Sequence, residues 1–345
     1  MTAMRLSLVA GLLVLACLLV LVLVLVFVPR RPSPTGPQSV GHMEVVLRDS
    51  GGRSLPVAVW YPLGTREPAP VILYSPGWGG TRTQSSIQVE NLASHGFVVV
   101  GCDDVASDPA SDPDRGASVE LGSDAALKAT IERAGRHVLM QATRLVDVLR
   151  ALESGQVSAL ARRLDLAHVG AMGFSVGGAA AIQAGLMDHR ILAVLNIDGA
   201  LSGPTADQIG PQAYFLLSSR EAFPTDAQLT SADPVVRNYA HIGAIDIPRN
   251  RRRMEQPRNY WALIEPAGHD DLADGLFELH RSRPLRTNSR RSAVNESIER
   301  LQVAFFRSTL MGDDAALQYL VGRNSHTVRW ISPTSATPGT ARERQ

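Results

Sequence analysis

Cysteine is scarce in this chain: of 345 residues only Cys17 and Cys102 are cysteines. Cys17 lies inside a long apolar run and Cys102 deep in the mixed-composition part. The two cannot reach each other, which excludes a disulfide-stapled fold. Excess charge is missing as well, because 34 Lys and Arg against 33 Asp and Glu leave a net charge of +1. A nucleic-acid-binding reading therefore has no overall electrostatic footprint. The nearest approach to a basic patch, Arg249, Arg251, Arg252, Arg253 and Arg258, reads as a solvated helix end or loop. No internal repeat and no glycine-rich nucleotide cradle in a strand-to-helix setting appear, so repeat arrays and dinucleotide folds are set aside. With 45% hydrophobic residues, disordered and collagenous classes are excluded too.

What is present begins with an apolar run. Leu8 to Val28 carries no charge, and as a helix it would span about 31 Å, close to the hydrocarbon thickness of a bilayer. Residues 1–28 therefore read as a membrane anchor or signal segment. The run exceeds an ordinary signal core and lacks a small-x-small cleavage site, which favours an uncleaved anchor. Val14-Leu15-Ala16-Cys17 faintly resembles a lipoprotein site, but the chain stays apolar where a lipidated protein would turn polar. Arg5 and the free amine balance Arg30 and Arg31, so charge decides the orientation weakly. The expectation is a catalytic domain outside the cytoplasm, with secretion after cleavage as the alternative. Residues 29–39, with four prolines between Pro29 and Pro37, read as a stiff spacer unable to pack.

From Val40 onward, short apolar runs alternate with segments of helical period. Val45–Leu47 and Leu55–Tyr61 read as a hairpin across Ser50-Gly51-Gly52. Val71–Ser75, Phe97–Cys102, Val169–Gly173, Ile191–Ile197, Ala213–Ser218 and Tyr260–Glu265 read as buried strands. Helices are expected at Thr83–Ser94, Asp124–Leu152, Val176–Leu186 and Arg291–Leu310, the second long enough for Gly135 to be a point of division. The implied class is α/β: a mostly parallel sheet of about eight strands flanked by helices, in one domain over residues 40–323. Residues 324–345 carry little to bury and read as a frayed tail.

The sharpest local signal is Gly173-Phe174-Ser175-Val176-Gly177-Gly178, preceded by a strand pattern and followed by Ala179-Ala180-Ala181-Ile182. A strand–nucleophile–helix turn needs glycines two residues either side of the serine, because the bend leaves no room for side chains. A serine hydroxyl needs a neutral imidazole to take its proton. His269, in the turn Glu265-Pro266-Ala267-Gly268-His269 after the last strand, is the candidate. His95, His137, His168, His189 and His280 sit in or beside helical and strand patterns and read as surface or packing residues. For the acid that orients the imidazole, Asp198 competes with Glu221 and Asp226. Asp198 is favoured, since a carboxylate ending an apolar strand needs a partner. The oxyanion is expected to be met by the backbone amides of Val176 and of Trp78, the latter in the loop Pro76-Gly77-Trp78-Gly79-Gly80.

Two metal readings are weaker. His269-Asp270-Asp271 with Asp274 lacks a second histidine at helical spacing. Asp108, Asp112 and Asp114 miss the EF-hand spacing and read as loop caps. No metal and no cofactor is expected.

The stretch Tyr74-Ser75-Pro76-Gly77-Trp78-Gly79-Gly80, with Leu92–Val100, Gly173–Gly178, Asn196–Ala200 and Gly268–His269, resembles the platelet-activating-factor acetylhydrolase and dienelactone-hydrolase-like branch of the α/β-hydrolases. Leu55–Pro62 and Val303–Arg307 resemble that branch's opening strand and closing helix. The likeness runs from about Val40 to Leu320 and implies the α/β-hydrolase fold and hydrolysis of short-chain acyl or lipid esters. Ser75-Pro76-Gly77 and Thr83-Gln84-Ser85-Ser86 are similar to bacterial cutinases and polyester hydrolases. In the acetylhydrolase pattern the acid stands where Asp198 stands; in cutinases it follows the next strand, near Glu221. Pro76-Gly77 replaces the branch's common His-Gly pair, removing a loop-bracing hydrogen bond. Ser175 stands where dienelactone hydrolases proper use cysteine. A non-catalytic binding protein on the same scaffold is the reading from another class, and it would show a missing triad member.

Overall fold

The structure, a computed structural model, describes residues 14–22, 30–64, 67–107, 119–277 and 288–332. Its centre is a nine-stranded sheet in the order β1-β2-β4-β3-β5-β6-β7-β8-β9. β1 (Val40–Arg48) and β2 (Ser54–Pro62) form the expected antiparallel hairpin, and β2 runs antiparallel to β4 (Val98–Cys102). The strands β4, β3 (Ala69–Ser75), β5 (Leu164–Phe174), β6 (Ile191–Ile197), β7 (Ala213–Ser219) and β8 (Asn259–Ile264) are mutually parallel.

Parallel strands covered on both faces read as continuous apolar runs, and every residue of β3, β4 and β7 is buried. Alternate side chains serve opposite cores. Val71 and Leu73 pack with Leu145 and Leu149 of α2 (Asp124–Glu153) and Ile182 of α3 (Val176–Met187). Ile72 and Tyr74 pack with Leu92 of α1 (Ser86–Ser94) and with Phe305 and Phe306 of the later helix Asn288–Met311. Full burial of each such phenylalanine contributes about 2–3 kcal/mol.

Several expectations are corrected. α2 runs unbroken through Gly135, where the missing side chain instead admits Gly203: a Cβ there would lie 3.0 Å from the Gly203 Cα. A helix absent from the pattern, α4 (Pro234–Arg253), follows Asp233, whose side chain caps Val235 N–H at 2.8 Å. It buries only Asn238, Ala240, Asn250 and Arg253, so no apolar stripe announces it. The helices Asn288–Met311 and Ala315–Leu320 follow as α5 and α6.

The segment after Asn324 is not a frayed tail throughout. Val328–Trp330 forms β9, antiparallel to β8, with Val328 and Ile331 buried. A bare β8 would leave a row of unpaired backbone groups at the sheet edge. Nor is the proline-rich stretch a free spacer. Thr35 N–H donates to Asn91 at 2.7 Å, and Gly36 and Gln38 N–H groups donate to the Ser94 side chain and carbonyl at 2.9 and 3.0 Å. Asn91 and Ser94 are buried acceptors, and the backbone of the proline-rich stretch supplies their donors.

Residues 14–22 are helical. Among the described residues no helix is long and apolar enough to cross a membrane. The remainder of the Leu8–Val28 run lies outside the described residues, as do Asp108, Asp112, Asp114 and His280.

Candidate active site

β5 ends at Phe174 and α3 starts at Val176, which leaves one residue, Ser175, to make the whole bend at φ 55° and ψ −128°. Its N–H donates to Ile197 O and its carbonyl accepts from Gly178 N–H, both at 2.8 Å. The flanking glycines are required by crowding. A Cβ at Gly173 would stand 2.1 Å from Gly177 O, and one at Gly177 2.3 Å from Pro76 O. The bend therefore fits only with bare backbone two residues on either side of the serine.

His269 opens the short helical turn His269–Leu272 beyond β8. Its Nε2 is 3.1 Å from Ser175 Oγ, and its Nδ1 is 2.8 Å from Asp198 Oδ2. A carboxylate only accepts, so Nδ1–H donates to Asp198 and Nε2 is left to accept from the Ser175 hydroxyl. Asp198 follows β6, also at φ 55°. Its N–H donates to Leu217 O at 2.7 Å and its Oδ1 accepts from Ser219 N–H at 2.8 Å, so both oxygens are held.

Of the competing acids, Glu221 lines the cleft and reaches the ring through its charge. Asp226 is exposed in a capped helical turn, Asp226–Leu229, away from the cleft. Burial disfavours charging of His269, but the hydrogen bond and charge of Asp198, with the charges of Asp270 and Glu221, outweigh it. The net effect holds the imidazole above its usual range. The Phe174 ring lies against His269 at 4.8 Å between centroids.

Trp78 and Val176 both line the cleft. As the first residue of α3, Val176 has an amide without an intrahelical acceptor. The loop carrying Trp78 is braced from three sides. Gly77 N–H donates to Gln84 Oε1 at 2.7 Å, Gly80 N–H to Gly77 O at 2.8 Å, and Gly79 N–H to Asp104 Oδ2 at 2.6 Å. The other Asp104 oxygen meets His137 Nε2 at 2.6 Å, and the His137 ring stacks beneath the Trp78 indole at 4.4 Å and 17°. The brace absent with Pro76-Gly77 is thus supplied by Gln84 and Asp104.

Asp104 and His137 are both buried, and His137, expected to be a surface or packing residue, instead braces the Trp78 loop. One signal was available: His137, Gln141 and Leu145 recur every fourth residue on the buried face of α2, and polar groups on an apolar stripe need partners.

Other candidates resolve elsewhere. In the stretch of His269, Asp270, Asp271 and Asp274, both His269 nitrogens are engaged, Asp271 accepts from Gly268 N–H at 2.8 Å, and Asp274 accepts from Ser86 Oγ at 2.7 Å. Among the described residues no group of His, Cys, Asp and Glu could hold a metal ion. The arginine run does not all face water. Arg253 is buried, donates to the carbonyls of Thr205 and Gln208, and lies over the Tyr214 ring at 5.7 Å. The cleft above the triad measures about 390 Å³, with Leu216, Tyr239 and Ile242 among its walls. A half-buried hydroxyl aligned with an oriented imidazole, beside two amides and an apolar cavity, is an arrangement suited to acyl transfer.

Comparison with known proteins shows similarity both to a sequence family and to solved structures. Residues 38–108 match the family described as platelet-activating factor acetylhydrolase, isoform II. The solved ferulic acid esterase from Streptomyces cinnamoneus is similar with a TM-score of 0.63 and 21% identity, covering 88% of this chain and 100% of that one. At such identity the likeness is one of fold. No curated protein is significantly similar to the chain in sequence.

Proposed function

We propose that this chain, a platelet-activating-factor-acetylhydrolase-like α/β-hydrolase, is a serine hydrolase that cleaves carboxylic esters through an acyl-enzyme. Ser175 Oγ attacks the ester carbonyl as His269 Nε2 takes its proton, and Asp198 holds the imidazolium that forms. The amides of Val176 and Trp78 receive the oxyanion. His269 then returns the proton to the leaving alcohol, and a water activated by the same ring releases the acid. Water and the ester are the only reactants.

The observation that carries this reading is the continuous relay Ser175–His269–Asp198 at 3.1 and 2.8 Å. Support for esters comes from the family match and from the esterase that shares the fold. Short-chain acyl or lipid esters suit the apolar cleft. Partnership of His269 with Asp198 at the end of β6, rather than with an acid near Glu221, favours the acetylhydrolase pattern over the cutinase and polyester-hydrolase pattern. The Leu8–Val28 run supports a tether to a membrane, with the catalytic domain outside the cytoplasm; secretion after cleavage is the alternative.

The test is covalent labelling by a fluorophosphonate probe, expected in the native protein and lost in Ser175→Ala. An unlabelled native protein would leave a non-catalytic binding scaffold. An acyl-chain series of nitrophenyl esters, beside a phospholipid carrying an sn-2 acetyl ester and a polyester film, then ranks the substrates.

A further inference from the structure

The cleft contains an acid that ester hydrolysis by the triad leaves unused. Asp246, on α4, lines the same cavity as Ser175 and His269. Its Oδ1 accepts from Leu201 N–H at 2.8 Å and its Oδ2 from Asn250 Nδ2 at 2.7 Å. Asn250 in turn accepts from the Tyr214 hydroxyl at 3.0 Å, which accepts from Asn196 Nδ2 at 3.2 Å. The carboxyl is thus held in place by both oxygens, while each oxygen retains further acceptor capacity.

Other polar groups of the lining are occupied or solvated. Thr130 Oγ1 donates to Glu120 O at 2.9 Å, Ser218 Oγ accepts from Trp261 Nε1 at 2.8 Å, and Glu221 is exposed. The same lining carries the apolar side chains of Ile131, Ala134 and Ile242. Burial pushes the Asp246 carboxyl up to about 7, against the Leu201 N–H bond and the charges of Arg249 and Arg253. A group that passes between charged and neutral in that range is matched by a hydroxyl, which donates and accepts, better than by an ammonium, which only donates.

We propose that Asp246 is the specificity-determining group of the cleft and receives a hydroxyl at the far end of the substrate chain bound there, so that ω-hydroxylated esters are preferred. Catalysis of such esters rests on the serine-hydrolase reading; the binding preference does not.

The test uses nitrophenyl esters of ω-hydroxy acids of about four to eight carbons, each beside the isostere in which methyl replaces the hydroxyl. A matching series of ω-hydroxyalkyl and alkyl acetates covers the alcohol side. In one series the hydroxylated ester should exceed its isostere in kcat/KM by about tenfold at a favoured length, chiefly through KM. Asp246→Asn should shrink the ratio and Asp246→Leu reverse it. Isosteres that win at every length in both series, or a hydroxyl preference that survives Asp246→Leu, overturn the proposal.

Because Asp246 also holds Leu201, binding of the same pairs to Ser175→Ala and to Ser175→Ala with Asp246→Asn is measured by calorimetry. Discrimination there without any turnover in the native protein sinks the serine reading and keeps the hydroxyl site. Turnover without discrimination in either assay sinks the hydroxyl site alone.

Discussion

Two loops meet at the edge of the cleft, and they are held in opposite ways. The bend at Ser175 is held by backbone, through close approaches that admit no Cβ at Gly173 or Gly177. The loop at Trp78 is held by side chains: Gln84 on one flank, Asp104 on the other, and the His137 ring beneath. The first leaves a local trace in the sequence, because both of these glycines lie within two residues of the serine. The second draws on groups far along the chain and leaves a trace only as polar residues in apolar company. Backbone crowding makes a bend intolerant of almost any change, whereas a side-chain brace can be loosened in steps.

The largest effect should come from breaking the first loop. Gly177→Ala places a Cβ against the carbonyls of Pro76 and Ser75, at 2.3 and 2.4 Å. Neither acceptor can retreat without moving β3, so a loss of more than about 4 kcal/mol is expected in denaturant titrations. A variant that melts with the native protein would show the crowding to be relieved cheaply.

Next comes the acid. Asp198→Asn keeps the shape and cannot hold the imidazolium, so kcat should fall by roughly a thousandfold to ten-thousandfold. Glu221→Gln should leave kcat within about twofold. The reverse ranking would move the triad acid to the end of β7.

The side-chain brace should yield less. His137→Leu removes the stacked imidazole and strands Asp104, whose other oxygen holds Gly79 N–H. Loss of one well-placed oxyanion donor costs about a hundredfold to a thousandfold, so a loosened one should cost roughly tenfold to a hundredfold in kcat. KM should change little, and Ser175 should still be labelled by the fluorophosphonate. An effect confined to thermal stability would mean that the brace serves the fold alone.

The smallest effect is electrostatic. His269 is held above its usual range and, as the proposed base, accepts a proton only when neutral, so the acid limb of kcat/KM should lie above the ordinary histidine value of about 6.5. The Glu221 charge helps retain the proton. Glu221→Gln should therefore move that limb to lower pH with its plateau unchanged, and a shift to higher pH would contradict the assignment.

The same contrast explains what could be read in advance. Ser175 lay in a motif whose spacing states its own geometric reason, and His269 and Asp198 each followed an apolar strand where ligand-facing loops emerge. Expectation and structure agree on Ile191–Ile197 as a strand and nearly agree on α3. Asp246 and the rest of α4 escaped, because a helix that buries Asn238, Asn250 and Arg253 carries no apolar period. β9 escaped because its role is to cover an edge that exists only once β8 is in the sheet. The Asp104–His137 pair escaped because nothing in either segment names the other.

The positive φ angles of Ser175 and Asp198 carry a further consequence. They are two of only three such non-glycine residues among those described, and left-handed backbone costs an ordinary residue about 1–3 kcal/mol. The molecule concentrates its least comfortable conformations where two neighbouring strands hand their chains to the cleft. A Ser175→Gly protein should therefore melt a few degrees above its parent, and selection for thermal endurance alone would erode the proposed nucleophile first.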